Sequence, residues 1–138
     1  PDAIGHRLIV GPECTRQRFK ALIDGARSSI RLIDPKLSDA SLLAAIERRR
    51  TAGLVVEVIG SRWIGDLKSH GKILLIDDRL AVVGSVALTA PSLDLRREVA
   101  VIVDEPAAVA GVRRLFRTAQ LQRSGRFTAF EAEGRALC

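Results

Sequence analysis

Residues 70–84 read His-Gly-Lys-Ile-Leu-Leu-Ile, then Asp-Asp-Arg, then Leu-Ala-Val-Val-Gly. Two apolar runs of strand length separated by three polar residues predict strand, turn and strand, and a strand needs partners to satisfy its backbone. This segment therefore commits the chain to a sheet, and the rest of the sequence reads as elements that complete and cover it.

Upstream, residues 7–10 predict a short strand stopped at Gly11-Pro12. Thr15 is the expected cap of a helix over about 16–27, whose apolar face is Phe19, Leu22, Ile23 and Ala26. Residues 28–34 alternate as a strand does and stop at Pro35. Ser38 is the expected cap of a second helix carrying Leu42, Leu43 and Ile46. Its Arg48-Arg49-Arg50 end suits a helix dipole, and Gly53 supplies the stop. Residues 54–59 predict another strand, 60–68 a loop, 85–95 a longer loop and 97–103 a further strand. Pro106 opens a last helix to about residue 121, with Val109, Val112, Leu115, Phe116 and Ala119 on its apolar side. The order β-α-β-α-β, a run of strands and a closing helix predicts an α/β domain, a mixed β-sheet flanked by helices. One domain is expected over 1–125, with a patternless tail over 126–138.

The 138 residues are 47% hydrophobic and 28% charged, a globular profile. The formal net charge of +6 favours anionic partners such as nucleic acid or anionic headgroups, though Arg-rich helices also keep a domain soluble. Cys14 and Cys138 lie far apart with no ligand spacing, so two reduced thiols are expected. No apolar run reaches bilayer length and no leader pattern is visible. The expected location is cytoplasmic, with peripheral membrane association left open. The chain lacks Met and begins at Pro1, which predicts a piece of a longer protein cut at a domain boundary.

The chemistry-bearing residues sit on and just beyond the hairpin. His70 and Lys72 are two apart, and in a strand such residues share a face. An ammonium that binds a phosphate oxygen beside an imidazole that attacks phosphorus makes sense around a phosphodiester. Asp77 follows Lys72 after four residues, Gly84-Ser85 follows Asp77 after six, and Glu98 comes thirteen residues after Ser85. Asp77 has a local alternative role as a turn residue. Gly84 allows close backbone approach, and Ser85 can donate a hydroxyl to phosphate. Glu98 has the alternative of pairing with Arg96 or Arg97. His6 lacks this context, and Trp63 either lines the pocket mouth or packs beneath the loop before His70.

The pattern H-x-K-x4-D-x6-G-S, with an acid at Glu98, resembles the signature of the phospholipase D superfamily over roughly residues 7–120. The resemblance implies a phospholipase D-like domain and a phosphodiesterase or phosphatidyltransferase without metal or cofactor. His70, Lys72, Asp77 and Glu98 would be catalytic, with Lys72, Gly84 and Ser85 meeting substrate. One His would form a phosphohistidine and a second would protonate the leaving alcohol. That chemistry needs two H-x-K units and this chain has one, so a second unit is expected, from the same parent chain or from a homodimer. An isolated monomer should be inactive. Family members carry Asn two residues after the Ser, whereas here the position is Ala87. Losing such a donor costs on the order of 10²–10³ in rate. Hence a catalytically degenerate phosphate-binding or dimerisation half is an alternative, and a nuclease or nucleic-acid-binding domain is another. Aromatic residues are 4% of the chain, with no Tyr for base stacking. The expected substrate is accordingly a phospholipid, with nucleic acid the second choice.

Overall fold

The computed structural model describes the backbone of residues 6–60, 63–64, 67–68 and 72–137, and the side chains of 6–60 and 72–121. Its strands are β1 (Leu8–Val10), β2 (Ser29–Ile33), β3 (Val55–Ile59), β4 (Trp63–Ile64), β5 (Leu67–Lys68), β6 (Lys72–Ile76), β7 (Leu80–Gly84) and β8 (Val99–Val103). Its helices are α1 (Thr15–Asp24), α2 (Ala40–Thr51), α3 (Ala90–Asp94) and α4 (Pro106–Leu137). Six strands form one sheet in the order β1-β8-β7-β6-β2-β3, and β4 and β5 pair as a separate two-stranded ribbon. Only β2 and β3 run parallel in the large sheet, joined through α2; its other pairs are antiparallel. The architecture is α/β with a mixed sheet, as expected.

Two apolar layers flank the sheet. On one face Ile30, Leu32, Leu74, Ile76, Val82 and Ala100 meet Phe19 and Ile23 of α1 and Leu42 and Ile46 of α2. On the other, Ile33, Ile73, Leu75 and Ala81 meet Val109, Phe116 and Ala119 of α4. Because β6 is covered on both faces, its residues 73–76 are apolar without alternation, as a central strand requires. Leu115, expected on the apolar side of the last helix, is instead exposed.

Several boundaries differ from expectation. Cys14, at φ 57°, precedes α1 as its cap residue without a side-chain bond, and Thr15 is already helical and fully buried. Asp39 rather than Ser38 caps α2: its carboxylate accepts from Leu42 N at 3.0 Å. The loop over 85–95 contains α3, capped by the Thr89 hydroxyl. The last helix continues past 121 to Leu137, through the segment read as a patternless tail. Among the described residues no helix is long and apolar enough to cross a membrane.

Candidate active site

The turn between β6 and β7 explains Asp77. Asp77 and Asp78 both have positive φ, 56° and 53°, and Arg79 N donates to Ile76 O at 3.0 Å. These are the marks of a type I′ hairpin turn, which Asp tolerates. The Asp77 carboxylate points back across the sheet end and accepts from Arg27 N (3.0 Å), Ser28 N (2.7 Å), the Ser28 hydroxyl (3.0 Å) and Ser29 N (3.1 Å). Partial burial pushes this carboxyl up, but the bonds from Ser28, Ser29 and Arg27 outweigh it and hold the group below the usual range. Asp77 thus pins the start of β2 to the hairpin. It stands at the far end of β6 from Lys72, about 16 Å away at an ordinary strand rise.

The other expected residues gather at the opposite end of the sheet. Lys72 opens β6 with Gly84, the last residue of β7, directly across from it; Gly84 in turn lies opposite Ala100 of β8. The Lys72 stem belongs to the α1/α2 side, over a floor that includes Phe19, Leu32, Leu74 and Leu88. Lys72 itself is half-buried, as a lysine that packs its stem on apolar surface is. A Cβ at Gly84 would stand 2.2 Å from Val99 O and 2.6 Å from Ala100 Cα, so only glycine lets β7 and β8 close here. Ser85 is exposed. Its N donates to Val99 O at 3.0 Å, and its hydroxyl lies 3.3 Å from Val99 N and 3.4 Å from Val99 O. His70 and Gly71 lie outside the described residues, as does the Trp63 side chain, so the described half of the site is Lys72, Gly84, Ser85 and Glu98. His6 is exposed, with its carbonyl accepting from Arg18.

Glu98 precedes β8 and is partly buried. It makes no ion pair with Arg96 or Arg97 among the described residues; Arg97 reaches Glu13 at 2.9 Å instead. The Glu98 backbone accepts from Gly11 N at 2.8 Å, and one carboxylate oxygen accepts the hydroxyl proton of Ser92. Ser92 is fully buried on α3, and its oxygen also accepts from Ala87 N at 3.0 Å. A chain of bonds therefore runs from the Ala87 N–H through Ser92 to Glu98, and among the described residues no side chain pairs with the second carboxylate oxygen. Ala87 is itself buried, so this position forms part of the wall.

Asp34, just past β2, was not singled out from sequence. It is buried, and its carboxylate accepts from Leu88 N at 2.8 Å and Lys36 N at 2.9 Å. Ser38 N and Asp39 N both donate to Leu88 O at 3.0 Å. Arg16 completes the scaffold by reaching Asp39, the Ser41 hydroxyl at 3.0 Å and Asp94 at 2.6 Å. Burial pushes the Asp39 carboxyl up, but bonds from Ser41, Arg16 and Leu42 hold it below its ordinary value. The segment after Ser85 is thereby tied to both α1 and α2. These links join residues up to 78 positions apart and have no local sequence signature.

Ser92 is the functional candidate that the sequence alone does not reveal. If its hydroxyl fixes Glu98, Ser92→Ala should lower stability by about 1–2 kcal/mol, because Ala87 N and the carboxylate lose a buried partner. Ser92→Thr should recover part of that loss. Urea denaturation of the three proteins, with unchanged m-values, checks it.

Residues 61–119 match the family model described as cardiolipin synthase, phospholipase D-like domain. No curated protein sequence matches. Among solved structures, Nuc from Salmonella typhimurium, a phospholipase D family member, shares the fold at TM-score 0.72 and 18% identity, over 84% of this chain and 93% of its own. NucT from Helicobacter pylori does so at 0.71 and 16%, over 82% and 93%. TrmBL2, an archaeal chromatin protein whose structure is described as showing a novel mode of DNA binding, gives 0.58 and 16%, over 84% and 52%. The hairpin and the Glu98 segment lie inside the stretch that matches the phospholipase D-like family model, and the sheet and helices share the fold of a phospholipase D family member.

Proposed function

We propose that this domain supplies one half of a metal-independent phosphodiesterase site. The observation that carries the reading is the convergence of Lys72, Gly84, Ser85 and Glu98 on one end of the sheet, with Asp77 withdrawn to the other. In this reading a His70 ring nitrogen attacks phosphorus and the P–O bond to the leaving alcohol breaks. A second His, from another H-x-K unit, protonates that alcohol. Water then attacks the phosphohistidine, giving up its proton to the second His and returning His70. Lys72 neutralises the non-bridging oxygens, and the second oxygen of Glu98 holds the far nitrogen of His70, favouring imidazolium as it forms.

Exposed apolar side chains at the β1–β8 edge support the need for a second unit. Val10, Val99 and Val101 are exposed at the β1–β8 edge, Val99 and Val101 on the face of the sheet opposite Ala100, and Leu95 is exposed just before Glu98. Such a cluster suits an interface. A phospholipid or a nucleic acid presents the required phosphodiester. The matching family description favours the first; the net charge of +6 and the fold shared with a chromatin protein favour the second.

The test is hydrolysis of bis(p-nitrophenyl) phosphate over a series of protein concentrations, with and without the second H-x-K unit. Specific activity should rise with assembly, and His70→Ala should abolish it by at least about 10³-fold. Undiminished turnover by the His70→Ala assembly, or full activity of a proven monomer, overturns the reading.

A further inference from the structure

On the face opposite Lys72, α4 and the sheet enclose a cleft of about 200 Å³ lined by Arg31, Leu75, Asp78, Arg113, Phe116 and Arg117, with Gln120 at its end. A second cleft of about 240 Å³ adjoins it, sharing Asp78 and Arg113 and adding Arg79 and Asp104. The two form one track along α4. Its charge is unevenly matched. Arg31 is held by Asp78 at 2.6 Å and lies 3.8 Å from Glu57, and Asp104 faces Arg7 at 3.7 Å. Arg79, Arg113 and Arg117 have no carboxylate partner among the described residues. Arg113 and Arg117 are one helical turn apart, so both guanidinium groups address the same side of α4, about 6 Å from each other along its axis.

We infer that this track binds the phosphate backbone of a nucleic-acid strand, at a place separate from the proposed phosphodiesterase site. Guanidinium groups are planar donors suited to phosphate oxygens and are weakly hydrated, so they suit a cleft better than an ammonium does. Two joined clefts with successive unpaired cations fit a polymer of repeating phosphates better than a single small anion. A concave track also fits a strand better than a bilayer surface, which meets flat or convex faces. The track lies beyond the opposite face of the sheet from the Lys72 stem, so it needs neither His70 nor turnover.

The test is equilibrium binding of a fluorescent single-stranded oligonucleotide to the full chain by anisotropy, over a range of salt concentrations. Arg113→Gln with Arg117→Gln should weaken binding about tenfold and reduce the slope of log K against log salt by about 1.4, the release expected for two phosphates on a single strand. Arg48→Gln with Arg50→Gln removes the same two charges from the end of α2 and should change binding far less. All four residues are exposed, so circular dichroism should show both variants folded. Equal losses in the two variants would mean diffuse attraction and overturn the inference. So would unchanged oligonucleotide binding by the α4 variant, or a defect confined to pyrophosphate or to phosphatidylglycerol vesicles. Loss of hydrolysis in His70→Ala with oligonucleotide affinity retained would leave it standing, so the two proposals fail separately.

Discussion

Lys72→Ala should reduce kcat/KM of the assembled protein for a phosphodiester by about 10³-fold while leaving the domain folded. Lys72 is the described cation at the site end of β6, and Gly84 opposite it offers no side chain to replace it. Charge stabilisation at a water-poor phosphoryl centre is worth several kcal/mol, and one strategic donor typically accounts for 10²–10³. In the metal-independent reading proposed above, a full charge belongs at the upper end. Lys72→Arg should recover only part of the rate, because a planar fork does not place its donors where a compact ammonium does. Steady-state kinetics beside a urea titration checks this. A folded Lys72→Ala protein within tenfold of the parent kcat/KM would remove Lys72 from the chemistry.

Asp77→Ala should cost about 3 kcal/mol of stability. The carboxylate accepts three backbone N–H groups and one hydroxyl, and bonds to a charged acceptor are worth roughly 1.5–3 kcal/mol each before water replaces some of them. A non-glycine residue without a local polar group at φ 56° adds about 1 kcal/mol of strain. Asp77→Asn keeps the turn preference and one acceptor, so it should lose about half as much, separating charge from conformation. The pH dependence has a definite sign. Folding lowers the Asp77 pKa, so its stabilisation is complete above the unfolded-state value near 4 and is lost as pH falls through the lower folded value. Asp39 behaves in the same direction. Acid titration of the unfolding free energy should therefore flatten below about pH 4 in Asp77→Asn relative to the parent. Parallel curves for the two proteins would show that the Asp77 bonds do not stabilise the fold.

These two substitutions also show how much could be read without coordinates. The hairpin, the flanking helices and the mixed sheet were legible because apolar periodicity and turn chemistry act locally. That Lys72, Gly84 and Ser85 belong together was implied by the resemblance to the phospholipase D signature, and strand pairing places Lys72 opposite Gly84. The choice between catalysis and turn-making at Asp77 did not, because its partners are Arg27, Ser28 and Ser29, about fifty positions upstream. The caps were misread for a simpler reason: Ser38 and Asp39 are both good cap residues, and only the bond to Leu42 N decides between them. Helix α3 spans five residues, too few to show a period. The extension of α4 was hidden because residues 126–138 carry no clear apolar period and include Gly134, although Ala, Glu, Arg and Leu there favour helix. The Ser92–Glu98 bond left no pattern in the sequence, since a serine on a short helix has many ordinary uses.

The two apolar layers share no side chain. Lys72 rests its stem on one of them, and the bonded network around Asp34, Arg16 and Ser92 lies toward the same helices; the arginine track is built on the other. A change in α4 reaches the Lys72 end through the sheet between them, which close packing resists, or through the β4 ribbon that α4 also touches. Substitutions along the exposed side of α4 should thus alter that surface while leaving the packing beneath Lys72 as it is.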